Sequence, residues 1–350
     1  MGVFVTSRLY IGIQNLKSAE FLIDTAALPR QPSCPMRRSF PLLLLALLWS
    51  GCSSPRGTSD SGFDFALIGD VPYNEFDTTN SFPNMIAEIN RVPMTFVVHN
   101  GDIKAGGDPC SDELFHRCYD QFQTFTHPLI YLFGDNEWSD CPRTNSHTPD
   151  ERLLRLREIF CKGDQSLGQR TIQLERQSED PAFAAYRENV RWRHGGIVFA
   201  GFNIPGSANN FGKPEFAERN KANLAWLRGS FEKAKAENAR GIMLILQANP
   251  HFELARTNKL RAGFNEFLDV LESETVPFQQ PVVLVHGDSH YFRIDKPLLG
   301  RRSKRRIENF TRVETFGNPD VHWVRARVDA GDPNVFSFEQ RIVKENLVRH

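Results

Sequence analysis

The chain has 350 residues, with 42 Lys and Arg balanced by 42 Asp and Glu, 40% hydrophobic residues, 6 cysteines and 28 phenylalanines. A net charge of zero excludes a polybasic nucleic-acid binder, and an aromatic share of 11% excludes wholesale disorder. The length suits one large α/β unit or two smaller ones.

Taken in chain order, the first feature is the string MRRSFPLLLLALLWSGC at 36–52, in which Arg37 and Arg38 precede an apolar run from Phe40 to Trp49. That run is about half of the ~20 residues a membrane-spanning helix needs, so a cleaved export signal is predicted rather than an anchor helix. Ser50, Gly51 and Cys52 resemble a bacterial lipoprotein cleavage site, with Trp49 where Leu is more usual. A signal does not readily begin so far into a chain, and residues 1–35 are therefore read as a mis-assigned upstream start. The expected organisation is a signal over 36–51, a tether over 52–62 and one domain over 63–350. Lipid on Cys52, with each buried CH₂ contributing about 0.8 kcal/mol, would hold that domain on a membrane surface. Ser53 and Ser54 supply no inner-membrane retention aspartate, so the expectation is an exported, periplasm-facing outer-membrane lipoprotein of the bacterial envelope. Cys110, Cys118, Cys141 and Cys161 would then lie in an oxidising compartment, where an even number predicts two disulfides among three possible pairings. A zinc site is the alternative, but no CxxC spacing is present.

From residue 63 the chain alternates short apolar runs with amphipathic segments, the pattern of an α/β fold. Strands are predicted over 63–69, 95–99, 129–133, 196–202, 242–246 and 282–285. Helices are predicted over 84–90, 113–125, 150–160, 215–237 and 265–274. The tail changes character, with antiparallel strands expected over 321–327 and 334–342. A further possible strand in FTRVETFG places Arg312 and Glu314 on one face, as cross-strand ion pairs would require.

Five strand ends carry polar clusters: Asp70 in GDVPY, Asp102 in NGDIKAGG, Asp135 and Asn136 in GDNEW, Gln247 in LQANPH, and Asp288 with His290 in HGDSH. One Gly-Asp is an ordinary turn. Five such clusters at strand ends, where α/β sheets place their ligands, are read as a site. Unit charges ~4 Å apart repel by about 4 kcal/mol at an effective dielectric of 20, so four converging carboxylates need positive compensation. Two divalent cations would supply it.

The order and spacing of these clusters resemble the calcineurin-like metallophosphoesterase superfamily, whose blocks read DxH, GDxxxxG, GNH[DE], a lone His after a strand, and GHxH. Within it the chain is similar to a bacterial exported group with GDNEW and HGDSH strings. The resemblance spans roughly 63–292 and implies a four-layer sandwich of two mixed β-sheets flanked by helices, with two divalent metal ions at the loop rim. Carried over position by position, Asp70 and His290 would hold the first ion, Asp102 would bridge, and Asp135, Gln247 and Asp288 would hold the second. Pro72, Gln247 and Asp288 stand where the family has imidazoles, so the donor set is oxygen-rich and suits Mn²⁺, Mg²⁺ or Ca²⁺ better than Zn²⁺. Asn136 replaces the His that assists the leaving group, and an amide is no general acid.

The implied reaction is hydrolysis of a phosphorylated small molecule or a phosphodiester, with no sequence-specific nucleic acid as partner; the oligomeric state is not legible. Lys104 and Asn209 are read as substrate-binding candidates beside Asn136, against a solvated lysine and a loop-capping asparagine. Cys110 and Cys141 each follow a proposed metal-binding loop, so their pairing is preferred. The rival reading is a catalytically weak or inactive protein of the same fold that binds a metal or a phosphorylated ligand.

Overall fold

The computed structural model describes residues 62–144, 147–329 and 331–347. The signal, the tether up to residue 61 and the lipid-bearing Cys52 lie outside the described residues.

Twelve strands form two sheets among the described residues. The first sheet contains β1 (Phe63–Ile68), β2 (Val97–His99), β3 (Leu129–Tyr131), β11 (Trp323–Val328) and β12 (Phe336–Arg341), in the order β12-β11-β1-β2-β3. The second contains β4 (Glu175–Arg176), β5 (Val190–His194), β6 (Ile197–Gly201), β7 (Gly241–Ile245), β8 (Val282–His286), β9 (Arg293–Asp295) and β10 (Phe310–Glu314), in the order β4-β5-β6-β7-β8-β10-β9. Strands β1, β2 and β3 run parallel, as do β6, β7, β8 and β10, while β11, β12, β4, β5 and β9 pair antiparallel. Both sheets are therefore mixed.

The side-chain period of two in a strand divides each one between two layers. Phe65 and Leu67 of β1 join Phe96, Phe199, Met243, Ile245 and Val285 in the core between the sheets. Ala66 and Ile68, on the other face, pack under α1 (Phe82–Asn90), α2 (Asp112–Phe122) and α3 (Pro149–Phe160). Val198, Ala200, Ile242 and Leu244 likewise pack under α4 (Phe216–Ala236) and α5 (Asn265–Phe278). The result is the expected sandwich: helices, sheet, sheet, helices. Among the described residues no helix is long and apolar enough to cross a membrane.

The tail strands expected at 321–327 and 334–342 are β11 and β12, paired antiparallel from Trp323 opposite Arg341 to Val328 opposite Phe336. Arg312 and Glu314 do sit in a strand and take cross-strand partners on β9. Arg312 faces Asp295, and Glu314 faces Arg293 with Nε to Oε2 at 2.6 Å. Sequence reasoning did not anticipate β5 and β9, because VRWRH and RID are short and rich in charge, and their partners are supplied by the rest of the sheet.

The cysteines correct one expectation. Cys110 and Cys141 are bonded, as preferred. Cys118 and Cys161 are free and buried among the side chains packed under α1–α3, where burial pushes their thiols up to about 12 and about 11. Among the described residues one disulfide forms rather than two, and the remaining two cysteines pack as small core hydrophobes.

Candidate active site

Parallel strands deliver their carboxyl ends to one edge, and that edge gathers the five clusters. Asp70 follows β1, Asp102 follows β2, Asp135 follows β3, Gln247 follows β7, and Asp288 and His290 follow β8. Asp70, Asp102, Asp135 and Gln247 are all buried. The loops meet closely: a Cβ on Gly134 would lie 1.9 Å from Asp102 Oδ1, and one on Gly287 would lie 2.1 Å from Asp70 Oδ2. Only glycine tolerates such approach. The turns are also strained, since Asp70, Asp102, Asp288 and His290 hold φ of 54°, 60°, 74° and 57°. Non-glycine residues in this left-handed region cluster at functional sites.

Asp102 is the hub. Its Oδ2 accepts from Tyr73 Oη at 3.0 Å, Asn136 Nδ2 at 2.8 Å and Gln247 Nε2 at 3.1 Å, while Oδ1 accepts from the Asn136 amide at 3.2 Å. The Gln247 amide is oriented by its own Oε1, which accepts from the Gly206 N–H at 2.6 Å. Asp70 accepts from the Asp288 N–H on both oxygens, at 3.1 and 3.2 Å. His290 Nδ1 lies 2.5 Å from the Asn318 carbonyl, which can only accept, so the ring donates there and turns Nε2 toward Tyr73 Oη at 3.2 Å and Asp70 at 3.6 Å. Beneath the hub, Glu137 Oε1 accepts from Tyr131 Oη at 2.7 Å, the Gly134 N–H at 2.7 Å and the Asp102 N–H at 3.2 Å. This buried carboxylate ties the second loop to the third.

The electrostatics are those of uncompensated acid. Burial, with Asp288 next, holds the Asp70 carboxyl well above the usual range; burial, with Asp135 next, does the same to Asp102. Burial and Asp135 push Asp288 to about 7, and the same two causes push Asp140 to about 7. Among the described residues no lysine or arginine pairs with Asp70, Asp102, Asp135 or Asp288, although Arg143 meets Asp140 at 2.6 Å.

Two substrate-binding expectations fail. Lys104 is buried, and its ammonium donates to the carbonyls of Ala105 at 2.8 Å and Asn136 at 2.7 Å, bracing the GDNEW loop from inside. Asn209 is also buried, donating to the Gly263 carbonyl at 2.9 Å and accepting from Arg219 at 2.6 Å, so it caps its loop. His99 and His286 are structural: burial lowers them to about 4 and about 3, and each ring is tied to backbone.

Sequence reasoning missed Tyr73, Ser207, Asp140 and Arg143. Ser207 Oγ donates to Asp135 Oδ2 at 2.9 Å or to Asp140 Oδ1 at 3.2 Å, and stands in a left-handed turn in which Ser207, Ala208, Asn209 and Asn210 all have φ between 49° and 57°. The Asn-Asn pair was the available turn signal, but the residue facing the site lies two positions earlier.

Whether these side chains suit a cation turns on charge and free acceptors. The charge fits, and Asp135 keeps Oδ1 buried without a hydrogen-bond partner. The donors are carboxylates, amides and one imidazole, which favours hard ions. A preformed cage is absent: among the described residues no three His, Cys, Asp or Glu side chains are placed to hold one ion. Asp102, the expected bridge, already has its oxygens engaged, and Gln247 presents its N–H₂ rather than its oxygen. The arrangement therefore suits a cation at Asp135, whereas a second one bridged by Asp102 requires Tyr73 and Gln247 to release it.

No protein-family model matches the chain, and no curated protein matches it. Among solved structures it is similar to PhoD, with 12% identity and a TM-score of 0.49 over 78% of this chain and 65% of that one. It is similar to a purple acid phosphatase, PPD1, from yellow lupin seeds, with 10% identity and a TM-score of 0.39 over 83% of this chain and 55% of that one. It is also similar to a 5'-nucleotidase from Candida albicans, with 11% identity and a TM-score of 0.38 over 79% and 50%. The chain thus spans between half and two-thirds of the length of these structures.

Proposed function

We propose that the chain is a metal-dependent phosphoester hydrolase acting at this edge. The observation that carries the reading is the acid cluster of Asp70, Asp102 and Asp135, all buried, with the half-buried Asp288, which meets no lysine or arginine among the described residues and includes an oxygen of Asp135 with no hydrogen-bond partner among them. Asp135 and Asp288 would hold a hard divalent ion, with Asp70 and His290 at the position of a second. Such ions, when bound, supply Lewis-acid stabilisation of the phosphoryl charge. The protein's own groups do the rest. Asn136 and Gln247 donate N–H groups to Asp102 at the centre of the cluster, and phosphoryl oxygens would accept them where a cation takes Asp102 over. His290, its Nδ1 committed to Asn318, presents Nε2 as the ligand atom for that second ion; Asn136 cannot give the leaving group its proton, because an amide is no general acid.

The purified full chain is expected to hydrolyse an aryl phosphate mono- or diester with Mn²⁺ or Mg²⁺, and Asp102→Asn to lose at least a hundredfold. Wild-type turnover no higher than that of the variant, across several metals, contradicts the reading. One observation favours a second reading, that the protein binds a cation or phosphorylated ligand without turnover: Asp102 is already satisfied by Tyr73, Asn136 and Gln247. Cation-dependent thermal stabilisation with no hydrolysis would select it.

We also propose export with lipid attachment at Cys52. The Cys110–Cys141 bond supports an oxidising compartment.

A further inference from the structure

A cavity of about 550 Å³ opens beside the acid cluster, between the chain after Trp138 and the loop after Ser207. It adjoins the cluster through Ser207, which hydrogen-bonds Asp135. Its cations are Arg143 and Lys213, and Pro142 and Pro214 add apolar wall. Arg143 is the arginine that overlooks the site. Its Nη1 lies 2.6 Å from Asp140, its Nη2 donates to Ser207 Oγ at 3.2 Å, and a Cβ on Gly106 would stand 2.9 Å from that guanidinium and 2.8 Å from Asn136 Oδ1. These contacts use two of the five N–H donors a guanidinium carries. The side chain is 57% exposed and lines the cavity. Lys213 makes no ion pair among the described residues. Of the acids lining the same cavity, Glu215 is committed to Arg219 at 2.8 Å and Asn210 at 3.0 Å, Asp140 is committed to Arg143, and Asp150 is exposed.

A cation pair at the mouth of an acidic centre has a different task from the centre itself. The centre repels any anion until cations neutralise it, whereas Lys213 has no ion pair among the described residues and Arg143 keeps N–H donors beyond its contact with Asp140. We propose that Arg143 and Lys213 form the subsite for a second, non-reacting anionic group of the substrate, so that the preferred substrate is a phosphoester that also carries a carboxylate or another phosphate. This deepens the hydrolase reading and rests on it for the reacting group only. Arg suits the role because its planar fork binds a carboxylate or phosphate through two parallel hydrogen bonds.

The test compares phenyl phosphate with 4-carboxyphenyl phosphate on the full chain. Wild type is expected to favour the carboxylated ester in kcat/KM, chiefly through KM. A charge-assisted hydrogen bond contributes ~1.5–3 kcal/mol, so Arg143→Ala should shrink that preference about ten- to a hundredfold. Arg143→Lys should keep part of it, and Lys213→Ala should reduce it less. Wild type without the preference, or a preference unchanged in Arg143→Ala, overturns the subsite. If neither ester is turned over, the hydrolase reading has failed, and the subsite is then judged by binding of inorganic pyrophosphate in titration calorimetry. Weaker binding in Arg143→Ala and Lys213→Ala supports the subsite, and equal affinity or no binding by wild type overturns it. Thermal midpoints within about 2 °C of wild type, read for each variant, separate the effect from misfolding.

Discussion

Glu137 gives the sharpest structural prediction. Its Oε1 accepts from Tyr131 Oη, the Gly134 N–H and the Asp102 N–H, and the residue is fully buried. Truncation in Glu137→Ala strands two backbone N–H groups and a phenol in a buried layer. Each unsatisfied donor costs ~1–3 kcal/mol, and a cavity term adds to that. The terms overlap, since all three bonds share one oxygen, so the expected loss is about 3–5 kcal/mol rather than their sum. Part is offset, because burial raises the Glu137 carboxyl and removing a costly buried acid returns some free energy. Glu137→Gln keeps the accepting oxygen and should lose only ~1–2 kcal/mol. For a domain of this size the alanine variant should melt roughly 10 °C lower by calorimetry. Its activity should fall further than its stability, because the Asp102 turn loses the anchor of its N–H. An alanine variant that melts within about 2 °C of wild type and retains its activity would refute the clamp.

Other expectations follow from the same geometry. Lys104→Met should destabilise by ~1–3 kcal/mol by leaving the carbonyls of Ala105 and Asn136 unpaired, while KM for a small phosphoester changes little; a large KM effect with unchanged melting would restore Lys104 to the substrate. Replacing Cys110 and Cys141 together with serine removes a crosslink that spans 31 residues and should cost ~2–4 kcal/mol by chemical unfolding, whereas Cys118→Ala should leave the thiol–disulfide count by mass spectrometry at one bond. Metabolic labelling with palmitate should mark the wild-type chain and not Cys52→Ala; equal labelling would remove Cys52 as the lipid site.

Much of the fold was legible because its signals are local. Runs such as FDFALI and GIMLI are buried on both faces of parallel strands, and the small residues that end them turn at the sheet edge, which is why Asp70, Asp102, Asp135, Gln247 and Asp288 could be named from sequence. What escaped depends on contacts between distant segments. Tyr73 reaches Asp102 and His290 across 29 and 217 residues, and Ser207 reaches Asp135 across 72. Lys104 misled because a lysine beside a charged motif reads as a ligand-binding group, while its four-carbon stem instead carries the ammonium inward to two carbonyls. The second expected disulfide failed for a related reason: parity counts cysteines, but a bond needs two sulfurs brought together by the fold, and Cys118 and Cys161 remain thiols.

Thermal unfolding of the cation-free full chain across pH, with and without Mn²⁺, tests the central claim that this acid cluster exists to hold cations. Asp288 and Asp140 titrate near 7 in the folded protein, above the ordinary 3.8, so the stability they contribute is complete below about pH 4 and is lost as pH rises through 7. At about 1.4 kcal/mol per pH unit, Asp288 alone accounts for at most ~4 kcal/mol, and Asp140, whose carboxylate is also held by Arg143, for less. The predicted result is a midpoint that falls between pH 5 and 8 without cations and is restored by Mn²⁺ most strongly at the alkaline end. A midpoint that stays level or rises over that range, and that Mn²⁺ leaves unmoved, would contradict it.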